Sequence, residues 1–96
     1  MTFTWDPVKA EANLKKHRVD FREAATVFDD PWSVAFPDSD HSWGERRFLI
    51  VGTSARGRVL VLAYSEVNEN PIRMISARVA TKHERRFYEE DTLHNR

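Results

Sequence analysis

Four histidines (His17, His41, His83 and His94) and no cysteine set the first limits on the chemistry open to this 96-residue chain. Without cysteine there is no disulfide, no thiolate zinc site and no thiol nucleophile. No two histidines stand four apart, and neither a phosphate-binding glycine loop nor a Gly-x-Ser-x-Gly elbow occurs. Asp38, Asp40 and His41 have the side chains of a metal site, but in a polar stretch such residues more commonly shape turns. No metal and no cofactor are expected. Arginine, lysine, glutamate and histidine remain. Lys9, Asn13 and Lys16 recur at i, i+4 and i+7, with His17 at the edge, either a solvated helix face or a cationic contact surface. Arg58, Leu60, Leu62, Tyr64 and Glu66 alternate onto one strand face, a pattern that a core-facing strand with charged rims explains. Arg73 stands between Ile72 and Met74, and Arg78 follows at the exit of the same segment. A guanidinium set among apolar neighbours usually faces a carboxylate or a phosphate.

Fifteen basic and fifteen acidic side chains give a formal net charge of zero, which excludes a uniformly basic nucleic-acid coat. The neutrality hides a gradient. Residues 1–45 carry five basic and nine acidic side chains, whereas residues 46–86 carry nine basic and three acidic ones. A neutral chain with one cationic segment can still present a cationic face. Hydrophobic residues make up 41%, enough for one small core, so residues 1–96 are expected to form one domain. The apolar run Val59–Ala63 is far short of the ~20 residues that span a bilayer, and no export signal opens the chain. A soluble cytoplasmic protein is expected.

These residues need elements to position them. Asp6-Pro7 predicts a helix start, with the helix running to about His17. Asp20 and Glu23 repeat the capping logic, and Phe21, Ala24, Ala25 and Phe28 form one buried helical stripe before Asp29-Asp30-Pro31. The period then changes to two. Residues 32–36 predict a short strand, and 47–53, 58–66 and 72–77 predict longer ones joined by tight turns, hence antiparallel. Thr81 and Glu84 make a capping box for a last helix, about 82–91. The fold class is α+β: two N-terminal helices, a four-stranded antiparallel sheet and a C-terminal helix, with the helices on one sheet.

The segments WDPVKAEANLKKH, VDFREAATVFDDP, DHSWGERRFLIVGTSARGRVLVLAYSE and IRMISARVATKHERRFYEE together resemble the BrnT family of toxins from bacterial toxin–antitoxin pairs. The resemblance runs from about Phe3 to Glu90. It implies a RelE-like fold and a small endoribonuclease that cleaves RNA without a metal and inhibits translation. It also implies a BrnA-like ribbon-helix-helix antitoxin, two toxins with two antitoxins, that alone carries the contact with operator DNA. The chain departs from the family at Arg18, where glycine is usual, and at Val67, where arginine commonly follows the strand glutamate.

Metal-independent RNA cleavage needs a base for the ribose 2′-OH, cations for the charged phosphorane and an acid for the leaving oxygen. Arg58, Arg73 and Arg78 are assigned as phosphate clamps, Glu66 as base, and His17 or Lys16 as acid. Lys9, Asn13, Arg47 and Lys82 are assigned to RNA binding. The rival class is a non-catalytic RelE- or ParE-like toxin that poisons a protein such as a topoisomerase. Trp32 and Trp43 are expected to be exposed aromatics for the antitoxin.

Overall fold

The structure, a computed structural model, describes residues 1–39, 45–66 and 71–94. The Asp6 side chain accepts from Val8 N at 2.9 Å and Pro7 takes the first helical position, so α1 (Pro7–His17) begins at its expected cap. It ends on Arg18, whose φ of 59° and ψ of 31° lie in the left-handed region that glycine normally fills. Asp20 caps α2 (Phe21–Ala25) through Arg22 N at 2.7 Å. The second helix does not continue as α through Phe28: Thr26–Asp29 tightens into a 3-10 turn, with Thr26 Oγ1 donating to Glu23 O at 2.6 Å.

The sheet has five strands where four were expected. They are β1 (Phe3–Thr4), β2 (Val34–Pro37), β3 (Arg46–Thr53), β4 (Val59–Glu66) and β5 (Ile72–Val79), in the order β1-β5-β4-β3-β2. The additional strand, β1, pairs in parallel with β5 through Phe3↔Ile72 and Thr4↔Arg73, so the sheet is mixed. Two residues are too few for a period of two to show in sequence. The β4–β5 pairing is interrupted by a bulge. Tyr64 pairs with Met74 while Ala63 pairs with Ser76, which leaves Ile75 as an extra residue in β5.

The main core lies between α1, α2 and one sheet face, where Val19, Phe21, Ala24 and Val27 meet Ile50, Leu60, Leu62, Met74 and Ala77. On that side Asn13 is 7% exposed. Its Nδ2 donates to Val19 O at 3.1 Å and Ala77 O at 2.9 Å, and its Oδ1 accepts from Ala77 N at 3.0 Å. The side-chain amide thus continues along β5 the edge cover that β1 provides at Ile72 and Arg73.

The helices do not all share one side. The last helix, α3 (Lys82–His94), packs Tyr88 against Val51 and Val61 on the opposite sheet face, with Trp32, Val59 and Ala80 around them. Trp32 is therefore half-buried in this second cluster, while Trp43 lies outside the described residues. Asp30 joins the layers. It accepts from Thr53 N and Trp32 N, each at 2.9 Å, and from the Tyr88 hydroxyl. Burial opposes its charge, but these hydrogen bonds outweigh it and hold the carboxyl below its ordinary range. Gly52 lets the chain pass this close: a Cβ there would stand 2.8 Å from Val27 Cγ1.

Candidate nucleic-acid interface

Alternation along β3 and β4 turns Ile50, Leu60 and Leu62 to the main core, and Val51 and Val61 to α3. The α3 face therefore also carries Arg47 and Leu49 from β3, and Ala63 and Ser65 from β4. In β5 the extra Ile75 resets the phase, so Ile72, Met74 and Ala77 all enter the main core. Arg73 and Arg78, five residues apart, consequently share the α3 face. Register then sets the rows. Arg47, Ser65 and Arg73 stand side by side, then Phe36, Leu49, Ala63 and Ser76, then Val34, Val51, Val61 and Arg78. The third row lies against α3, and the first lies beyond it.

Each of the two β5 arginines has a carboxylate partner. Arg78 makes a two-pronged contact with Glu84, at 2.7 and 2.8 Å. Glu84 also accepts from Thr81 N at 2.8 Å and donates its own N–H to Thr81 Oγ1, completing the expected capping box. The Arg78 guanidinium, aided by Thr81, draws the Glu84 pKa down to about 2. A carboxylate this acidic orients its arginine and does not take protons at neutral pH. Arg73 is half-exposed and more loosely held, with Nη1 3.8 Å from Glu45 Oε2. Lys82 and His83 are exposed in the first turn of α3 beside Glu84. Phe36, at 39% exposure, adds an aromatic face of the kind on which unpaired bases stack.

The remaining candidates lie elsewhere. Arg58 faces the helical side, where Nε bonds Glu23 Oε2 at 3.0 Å and Nη2 reaches Glu23 Oε1 and Arg18 O. Glu23 is buried and also accepts from Ser54 Oγ at 2.7 Å; the Arg58 contact above all holds its pKa low. Arg58 thus locks the β3–β4 hairpin to α2. Eight residues along β4, about 26 Å in strand rise, separate it from Glu66. Glu66 ends β4 opposite Arg46 on the helical face, and its charge adds to the burial that raises the Tyr64 hydroxyl pKa. Lys9 and Lys16 are exposed on α1, and His17 is half-buried at the end of that helix. Asn13 is a correction: three of its bonds serve the backbone inside the fold, so it does not face RNA. The six residues assigned to catalysis are not assembled at one point.

A family described as the ribonuclease toxin BrnT of type II toxin–antitoxin systems has a model that matches residues 5–84. The chain belongs to the BrnT family. In fold it is similar to the crystal structure of the Brucella abortus ribonuclease toxin BrnT, with a TM-score of 0.66 and 21% identity over 85% of this chain and 99% of that one. A search of curated proteins finds no significant match.

The match to the BrnT model begins just before α1 and closes on Glu84, so it takes in all three arginines of the open face and the carboxylate that orients Arg78. The sequence assigns no role to four residues on this BrnT surface: Phe36, Ser65, Glu45 and His83. The signal for Phe36 was its place in a short strand; Ser65 is an unremarkable serine until its neighbours across the sheet are known. Among the described residues, no group of three or more His, Asp or Glu stands close enough to hold a metal ion. No helix among them is long and apolar enough to cross a membrane.

Proposed function

We propose that this BrnT-family toxin is an endoribonuclease that cleaves RNA by internal transesterification without a metal, using the open sheet face as its RNA interface. The observation that carries the reading is the placement of Arg47, Arg73 and Arg78 on one sheet face, with Lys82 and His83 exposed in the first turn of α3 beside Arg78. Guanidinium forks match phosphate oxygens and keep their charge at any physiological pH. In the reaction the ribose 2′-oxygen loses its proton and attacks the adjacent phosphorus. The bond to the 5′-oxygen breaks, leaving a 2′,3′-cyclic phosphate and a 5′-hydroxyl. Arg78 offsets the charge that builds up on the phosphoryl oxygens, and Arg73 holds the RNA backbone beside it.

For the proton acceptor, placement favours Glu45 over Glu66, because Glu45 is ion-paired with Arg73 while Glu66 belongs to the helical face. For the donor it favours the first turn of α3, with Lys82 and His83, over Lys16 and His17 on the far side of the sheet. The proposal retains the kinship to RelE-type enzymes and a BrnA-like antitoxin that covers the arginine face.

Incubating the purified protein with a defined RNA in EDTA tests the reading. Fragments ending in 2′,3′-cyclic phosphate are expected, with a loss of ~10²-fold in Arg78→Ala, the scale of one transition-state charge contact. Glu45→Gln should slow cleavage while RNA binding persists; a greater effect of Glu66→Gln would return the base to β4. Intact RNA together with an inhibited topoisomerase would replace the enzyme by a binding poison.

A further inference from the structure

Ser65 has no exposed surface, and its hydroxyl makes no hydrogen bond among the described residues. Buried polar groups are almost always paired, because an unpaired one forfeits its hydration without return. A chain that needed only packing here would do better with alanine, whose methyl group fills nearly the same space. The position is also specific. Ser65 sits in register between Arg47 on β3 and Arg73 on β5, all three on the face that carries the proposed RNA interface. Side chains directly opposite across a sheet have Cβ atoms about 5 Å apart. Two arginines whose Cβ atoms flank a serine at that spacing are long enough to bring their guanidiniums, together with its hydroxyl, to one tetrahedral oxyanion. The row lies two pairs along the sheet from the row of Arg78, about 13 Å in strand rise.

The geometry points to Arg47, Ser65 and Arg73 as a phosphate subsite of their own, which grips a backbone phosphate of single-stranded RNA away from the one held at Arg78. Resting on the proposed RNA interface, this assigns Ser65 as a ligand-binding residue. Arg73 is the mobile part. It is half-exposed, and its 3.8 Å contact with Glu45 is an ion pair without a hydrogen bond. An arriving phosphate exchanges the Glu45 carboxylate for a doubly held anion, and as Arg73 swings toward it the Ser65 hydroxyl gains the acceptor it lacks. The bond is charge-assisted, the stronger kind. Glu45 is set free beside the RNA in the same movement.

The test is binding of a 2′-O-methyl RNA oligonucleotide, which the protein cannot cleave, by fluorescence anisotropy, with the melting temperature of each variant measured alongside. Ser65→Ala should weaken binding about tenfold while leaving the melting temperature unchanged or higher. In an Arg73→Ala background the same change should add little, because the two residues share one phosphate. A lower melting temperature with unchanged binding would make the hydroxyl structural and overturn the subsite, as would full additivity with Arg73→Ala. If Ser65→Ala does not fold, inorganic phosphate decides at matched ionic strength. It should raise the melting temperature of the wild type but not of Arg73→Ala, and equal effects on both would also overturn the subsite. Unchanged binding in both Arg73→Ala and Arg78→Ala would remove the RNA interface itself, a failure distinct from that of Ser65 alone.

Discussion

Arg18 carries a φ of 59° at the end of α1, a conformation in which the Cβ of any residue but glycine crowds the backbone. Its side chain is exposed, and what the fold uses is its backbone: the N–H bonds Leu14 O, and the carbonyl accepts from Arg58 at 3.1 Å. Arg18→Gly should preserve both bonds and remove the strain. We expect a gain of about 1 kcal/mol in urea unfolding, reduced in part by the greater freedom of glycine in the unfolded chain. Unchanged or lower stability would mean that the arginine side chain itself holds the turn. The departure was visible in sequence as an arginine in place of the usual glycine, and a strained turn is what the structure shows. The role of Arg58 was not visible. Its strand phase placed it on the core-facing side, but nothing in the local sequence named Glu23, 35 residues earlier, as the partner that takes up its charge.

At the scale of elements, side-chain devices besides Asp30 and the Arg58–Glu23 pair bind the layers, and two of them give measurable predictions. Asn13 fastens α1 to β5 by three hydrogen bonds around Ala77 and Val19. Asn13→Ala would leave buried backbone groups unpaired, and a loss of about 3 kcal/mol is expected from denaturant titration. A loss below ~0.5 kcal/mol, the ordinary surface scale, would show that water replaces the amide. The second device is the Arg78–Glu84 pair, which ties the end of β5 to the first turn of α3. Glu84 has a folded pKa of about 2 against an ordinary 4.5, so its contribution is fully present above that ordinary value. It fades as the pH falls from there toward 2. Glu23, also held low, adds to the same acid-side loss. Glu84→Gln should therefore flatten the fall of the melting temperature between pH 4.5 and 2. An acid slope identical to that of the wild type would remove the pair from the account of stability.

For the whole molecule, the cationic segment does not fold into one patch. Arg46 lies over the Phe48 ring on the helical side, Arg58 is locked to Glu23, and Arg85 pairs with Glu89 on α3. The surface we assign to a partner is the face of Arg47, Arg73 and Arg78, with Lys82 beside it. A type II toxin must be held inactive, and covering that face with an acidic and apolar antitoxin segment is the direct physical route. Co-expression with the neighbouring open reading frame should give a complex of two toxins and two antitoxins by light scattering, burying at least ~1,600 Å² per toxin–antitoxin contact. The toxin by itself should leave operator DNA unshifted in a gel. A toxin that shifts the operator by itself, or that co-purifies with no product of the neighbouring frame, would rule this assembly out.

Local signals decided the parts of this protein that depend on a few adjacent residues. Asp6-Pro7, Asp20 and the Thr81–Glu84 box start the helices where they are found, because capping is settled within one helical turn. The three long strands follow from their period of two, and the motifs carried the family. Tertiary structure decided which of these elements face one another. The strand β1 exists only because β5 offers it an edge. Arg73 and Arg78, five residues apart, would point to opposite faces of a regular strand, and they share one only because Ile75 is extra. The same pairing puts Ser65 between two arginines and sends Glu66 to the other side. A sequence records what alternates along one strand; which strand lies beside it, and in what register, is settled by packing across the sheet.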